Sequence, residues 1–152
     1  LAGRGQDPAV VLEETRRAFP GFITMIATDA SGWVLAASAP DPSAARGVDV
    51  SDRAYFRIPQ QTGRPYVSGV FQGRGFGADI LIAVSAPWRR PDGSFGGVIE
   101  GSLSVDRFHR LTGDEGDAAG LGHVVADPTG RVVVASPDTG LRPLASLEHH
   151  PL

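Results

Sequence analysis

Val11, Leu12, Thr15 and Phe19 recur at helical spacing within the stretch DPAVVLEETRRAFPG. One face of an N-terminal helix, assigned to residues 1–21, therefore packs on something. Its punctuation agrees: Asp7 stands as N-cap, Pro8 in the first turn, Arg16 and Arg17 near the end, and Pro20-Gly21 as a stop. The period then changes. FITMIATDASGWVLAAS contains two β-rich runs around Asp29-Ala30-Ser31-Gly32, a hairpin pattern in which glycine supplies the positive φ.

The same device returns as GHVVADPTGRVVVASPD. Asp29 aligns with Asp127, Gly32 with Gly130, Val34 with Val132, Ala37 with Ala135 and Ser38 with Ser136, all at one constant offset of 98 residues. The Pro-Asp pairs that follow agree one step out of register. Aspartate-x-x-glycine hairpins are common, but agreement at so many positions favours two copies of one opening, a small domain apart.

Between the copies, VSDRAYFRIPQQTG reads as short helical turns with Ser51 as cap and Gly63 as stop. Three strand-like runs follow: YVSGVFQG, ADILIAVSAPW and GGVIEGSLSVDRF, the last two joined by RRPDGSFG with its Asp92-Gly93 turn. DILIAVSA is apolar on both pleat faces and predicts a central strand covered on each side. In the last strand Ile99, Gly101, Leu103 and Val105 fall on one face, with Glu100, Ser102 and Ser104 on the other. That polar face either meets solvent or floors a polar cavity. The order predicts an α+β fold, an N-terminal helix plus a five-stranded antiparallel sheet, followed by an additional C-terminal hairpin.

Composition narrows the function classes. The 152 residues are 41% hydrophobic and 20% charged, enough for one domain with a core. A net charge of -3 argues against an electrostatic nucleic-acid binder. The fourteen cations are all arginines. Without cysteine there is no disulfide framework, thiolate chemistry or Cys-type zinc. No apolar run approaches the roughly 18 residues that span a bilayer, and the chain reads as a soluble piece of something larger.

Catalytic patterns are not recognisable: there is no nucleophile elbow, no carboxylate pair and no histidine dyad. GRGFG at Gly73–Gly77 resembles a phosphate loop, yet it leads to a strand at Ile80 where such a loop must open a helix. It reads as a hairpin loop able to close over a pocket. Asp114, Glu115 and Asp117 lack the ligand spacing of an EF-hand and read as linker. His109, His123, His149 and His150 form no pair with metal-ligand spacing. No metal, cofactor or catalytic residue is assigned. Trp33 and Trp88 flank turns and read as surface or core-edge anchors.

VDVSDRAYFRIPQQTGRPYVSG, then a strand, then RPDGSFGGVIEGSLSVDRF, resembles the extracytoplasmic Cache sensor domains, the PAS-like PDC domains of bacterial histidine kinases, diguanylate cyclases and chemoreceptors. The match covers roughly Phe22 to Leu111 in consistent order. It implies a PAS-like module over 22–112, a linker over 113–122, and over 123–152 the start of a second, truncated PAS-like module, since many members carry two in tandem. A lone hairpin is marginal by itself, so that tail either packs on the first module or is poorly ordered.

In amino-acid-binding members of that family, the loop before the third strand carries an Arg-x-Trp-Tyr pattern that grips the ligand carboxylate. An aspartate on the last strand holds the amine. Here Arg53 matches the arginine, Tyr55 stands at the tryptophan, Phe56 replaces the tyrosine, and Ser102 falls where the aspartate would be. An α-amino acid is then disfavoured unless Glu100 substitutes from the same face. The remaining set, Arg53 with Tyr55, Tyr66, Ser68 and Ser102, suits a carboxylate, because guanidinium presents a planar fork to both oxygens. Arg53 has an internal use open to it as well, a bridge to Asp52, Asp49 or Glu100.

The resemblance thus implies an input domain rather than an enzyme: the sensing part of a membrane-anchored receptor, on the periplasmic or extracellular side of the inner membrane. Its partners would be a small carboxylate ligand and a second copy through the N-terminal helix at Val11, Leu12 and Phe19, with the membrane reached only through flanking helices. A cytosolic PAS-type protein-interaction module without ligand is the alternative.

Overall fold

The computed structural model describes residues 7–39, 45–73, 79–107, 122–148 and 150. Helix α1 runs Pro8–Ala18, and the Asp7 carboxylate caps it by accepting the Ala9 amide at 2.9 Å. Arg16 and Arg17 occupy its last turn, where cations oppose the negative end of the helix dipole. Strands β1 (Phe22–Thr28) and β2 (Val34–Ser38) form the first hairpin. Helix α2 (Ala54–Thr62) ends at Gly63, whose φ of 66° gives the left-handed cap. The start of α2 differs from the sequence expectation. Arg53, not Ser51, occupies the N-cap: Ser51 lies in a turn in which Asp49 accepts its amide at 2.8 Å, and the helix begins two residues later.

Strands β3 (Tyr66–Gln72), β4 (Ile80–Arg89) and β5 (Phe95–Ser104) complete an antiparallel sheet in the order β2-β1-β5-β4-β3. The centre belongs to β5 and not to the more apolar β4. Glycine makes this position possible: at Gly97, φ 146°, an added Cβ would lie 2.1 Å from the Thr28 carbonyl oxygen. Next to it, the Trp88 indole lies over Gly96 and donates to the Thr28 carbonyl at 3.0 Å. Trp33 is exposed at the first turn.

Each sheet face has its own cover. On one, Leu12 of α1 packs with Met25, Ala36 and the partly buried Phe22, Ala27 and Ile99. On the other, Tyr55 and Phe56 of α2 pack with Ile26, Val34, Val50, Ala83 and Val98. The residues expected to serve self-association, Val11, Leu12 and Phe19, are therefore divided: Leu12 is buried within the chain and Val11 partly so, whereas Phe19 (60%) is exposed. A polar network adds to this seating of α1. Arg16 donates to Ser38 Oγ on β2 at 2.7 Å, Ser38 donates to the Glu13 carboxylate, and Arg16 and Arg17 pair with Glu13 at 3.0 and 2.8 Å. The Ser38 hydroxyl first, then the two guanidiniums, hold the Glu13 carboxyl down to about 2.

The second hairpin, β6 (Val124–Ala126) and β7 (Val132–Ala135), forms a separate two-stranded sheet followed by a short 3-10 turn at Pro137–Thr139. It packs on the first sheet: Val133 and Val134 are buried with Val70 and Val105, against Ile80, Ile82 and Leu144. Its internal bonding copies the first hairpin. Asp29 Oδ1 accepts the Ser31 and Trp33 amides at 2.8 and 3.0 Å, and Asp127 Oδ1 accepts those of Thr129 and Arg131 at 2.8 and 3.1 Å.

The copy extends past the strands. Val34 exchanges backbone bonds with Gly47 and Val48, and Val132 does so with Leu144 and Ala145. Val50 donates to Gly32 at 2.9 Å as Leu147 does to Gly130 at 2.9 Å. The return segment is one residue shorter in the second copy, which accounts for the shifted Pro-Asp pairs. Most of the expected linker, Asp114, Glu115, Asp117, His109, His149 and Arg74–Gly77 of the glycine loop lie outside the described residues.

Candidate ligand site

Strand pairing lines up Ala37, Ile26, Glu100, Ser85 and Tyr66 as one row across the sheet, with Thr24, Ser102 and Ala83 in the next. The polar residues of these rows look toward α2 and the loop before it. Of the two alternatives for the polar face of β5, burial selects the cavity floor: Glu100 is 2% exposed, and Ser102, Ser104, Ser85 and Thr24 are buried with it. A carboxyl in mid-strand at the centre of a sheet is costly unless bonded. Here Ser102 Oγ donates to Glu100 Oε1 at 2.7 Å. Burial pushes the Glu100 carboxyl up to about 7, and the Ser102 hydroxyl only partly opposes that.

Arg53, Tyr55, Phe71, Asp79, Glu100 and Ser102 surround a cavity of about 20 Å³, room for about one water molecule. Arg53 enters from the N-terminus of α2 and lays its guanidinium over the Phe71 ring, 5.9 Å from the centroid. The Tyr55 ring meets Phe71 at 6.0 Å. Among the described residues no ion pair joins Arg53 to Asp49, Asp52 or Glu100; the ion pairs are those of Glu13. The guanidinium thus lines a cavity that also holds the buried, neutralisable Glu100 carboxyl.

Four of the six residues expected from the sequence, Arg53, Tyr55, Glu100 and Ser102, meet at this cavity. Tyr66 and Ser68 do not. They face a wider cleft of about 750 Å³ between the first sheet and the second hairpin, which shares Arg53, Tyr55 and Phe71 with the cavity as a common wall. The Ser68 hydroxyl is engaged by the sheet, accepting the Ala83 amide at 2.8 Å and donating to the Gly69 carbonyl at 2.7 Å.

Sequence reasoning passed over Thr24, Ser85, Phe71 and Asp79. The first two could have been found once Ser102 and Glu100 were paired across strands. Phe71 reads as core from alternation alone, and Asp79 carries no signal in the sequence. Among the described residues no three histidine or acidic side chains are placed to hold a metal ion, and no helix is long and apolar enough to cross a membrane.

No protein-family model and no curated protein sequence matches the chain. Solved structures do match. An extracellular ligand-binding receptor from Desulfohalobium retbaense superposes with a TM-score of 0.78 at 18% identity over 90% of this chain and 25% of its own length. The ligand-binding domain of the Pseudomonas aeruginosa amino acid chemoreceptor PctC, in complex with GABA, gives 0.71 at 23% identity over 97% of this chain and 64% of its own. The ligand-binding domain of the Campylobacter jejuni chemoreceptor Tlp3, in complex with 4-methylisoleucine, gives 0.71 at 18% over 94% and 54%. The fold is the one these ligand-binding domains share, and the chain spans about a quarter of the first of these proteins and just under two thirds of the second.

Proposed function

We propose that this chain is the extracytoplasmic ligand-sensing domain of a bacterial membrane receptor, and that its cavity binds a small metabolite by its carboxylate on Arg53. The observation that carries the reading is the half-buried guanidinium at the cavity, seated on Phe71 without a protein carboxylate in ion-pair range among the described residues. Such a fork bonds both oxygens of a carboxylate. Glu100 lies on the floor two residues from Ser102, the position the family resemblance gives to an aspartate, so a ligand that also carries an ammonium group is accommodated only if Glu100 substitutes there.

A cavity with room for about one water is a closed form. Ligand entry requires the wall of Arg53, Tyr55 and Phe71 to move toward the neighbouring cleft, and a ligand then shifts the domain by its differential affinity for closed and open forms. Residues 123–152 are proposed as the opening of a second PAS-like module, which the duplicated hydrogen bonding supports. A homodimer through the N-terminal helix would use Phe19, exposed at its C-cap, and the partly buried Val11, since Leu12 is committed to the sheet.

The test is native mass spectrometry of the purified domain, followed by calorimetric titration with a panel of small carboxylates and amino acids. Retention of an organic acid that Arg53→Ala loses supports the reading, and affinity should fall about tenfold or more, since a hydrogen bond to a charged group contributes roughly 1.5 to 3 kcal/mol. The small cavity favours the second reading, a ligand-free interaction module. A domain that retains nothing and binds no member of the panel would establish that one instead.

A further inference from the structure

The register between β3 and β4 shifts between Val67 and Val70, so Ser68 and Gly69 form a bulge opposite Ala83. Two side chains hold the bulge. Ser68 Oγ takes the Ala83 amide from within the sheet, and Asp127 Oδ2 takes the Val70 amide at 2.9 Å from the second hairpin. The fit is close: a Cβ on Gly69 would lie 2.5 Å from Asp127 Oδ2. Asp29, the counterpart of Asp127, closes its own turn in the same way, so the clamp on β3 is an additional use of the second carboxylate oxygen.

What the clamp fixes is the identity of the next side chain on the cavity face. Val70 is buried against Val133 and Val134, and Phe71, pointing to the opposite face, is the ring on which Arg53 rests. A bulge that slips by one residue turns every side chain beyond it to the other face. We infer that Asp127 is a positioning residue for the cavity of the first sheet: by holding the Ser68–Gly69 bulge it sets Phe71 and Arg53, and so ties the state of the cavity wall to the docking of the second hairpin.

The inference rests on the reading above only in what the wall is for, and its test needs no ligand. Asp127→Asn keeps an oxygen for the turn and replaces the oxygen that accepts from Val70 by a donor. Gly69→Ala opens the same contact from the β3 side. In the full 152-residue chain, nuclear magnetic resonance reads the exchange rate of the Val70 amide together with the Phe71 ring and Arg53 Nε signals.

Either variant should speed Val70 exchange tenfold or more and shift both Phe71 and Arg53, while Met25 and Gly101 on the β1–β5 ladder keep their protection. Unchanged Val70 exchange, or a freed Val70 with Phe71 and Arg53 at their wild-type positions, overturns the inference. Should one variant fail to fold, the other carries the test. Failure of the carboxylate titration leaves these signals unaffected, so the two ideas fall separately.

Discussion

Leu144 adopts φ 73° in the place where Gly47 adopts φ 77°, each just before the residue that closes the return from its hairpin. The left-handed conformation is ordinary for glycine and strained for leucine. Leucine is nonetheless held there in the second copy, where its side chain packs against Val133, Val134 and their neighbours.

Gly47 has open space around its Cα, so the effect of a side chain there is purely conformational. Gly47→Ala should cost about 1 to 2 kcal/mol, measured as a lower urea midpoint with an unchanged slope. A neutral result would mean that the return segment does not need the left-handed residue.

Glu100 titrates near 7 when folded and at its ordinary value near 4.5 when unfolded. Between those values the folded chain holds the extra proton, so stability is greatest below about 4.5 and falls as pH rises through 7, by on the order of 3 kcal/mol. Glu100→Gln should remove that slope. Urea titrations at pH 5, 6, 7 and 8 measure it, and a wild type whose midpoint does not fall across this range contradicts the buried, singly bonded carboxyl.

Glu13 works in the opposite sense. Its carboxyl is held near 2, so its contribution is present above about 4.5 and is lost as pH falls toward 2. Acid should loosen α1 from β2 first, visible as faster exchange of α1 amides while β4 and β5 stay protected. Glu13→Gln should show the same loosening at neutral pH.

Arg53→Ala separates a ligand-directed guanidinium from an internal one. Stacking on Phe71 contributes about 0.5 to 1 kcal/mol, whereas breaking a buried ion pair costs about 3 to 5 kcal/mol. The thermal midpoint of the ligand-free variant should therefore fall only slightly. A large drop would assign Arg53 to the fold.

Asp127 is drawn upward by its partial burial, and the hydrogen bonds from Thr129, Val70 and Arg131 outweigh that, leaving it below its ordinary value. Its bond to Val70 should persist to pH values where free aspartate is already protonated and fail as pH drops through its lowered value, with Val70 exchange as the measure.

Much of this fold can be read where local chemistry decides it. Asp7, Pro8 and Gly63 mark helix ends because caps depend on one residue's own geometry, and the two Asp-x-x-Gly turns announce their hairpins for the same reason. Ser51 misled because it sits in a turn closed by Asp49, one turn ahead of the helix proper. The central place of β5 is decided by non-local contacts at Gly97 and Trp88, which hydropathy does not report. At the site, Arg53, Glu100 and Ser102 were visible as polar residues where apolar ones were due. Tyr66 and Ser68 stand apart from them because β3 is the edge strand, two places from β5, and the bulge that turns Phe71 to the cavity face had the lone Gly69 inside a strand pattern as its available sign.

Both tryptophans and both tyrosines of the chain, Trp33, Trp88, Tyr55 and Tyr66, belong to the first hairpin, α2 and the five-stranded sheet. The second hairpin carries no near-ultraviolet chromophore of its own. Its release from Val70 registers optically only through the borrowed rings of Tyr55 and Tyr66, which line the cleft beneath it, so tryptophan emission follows the larger sheet and the tyrosine signal is the one to watch for the smaller.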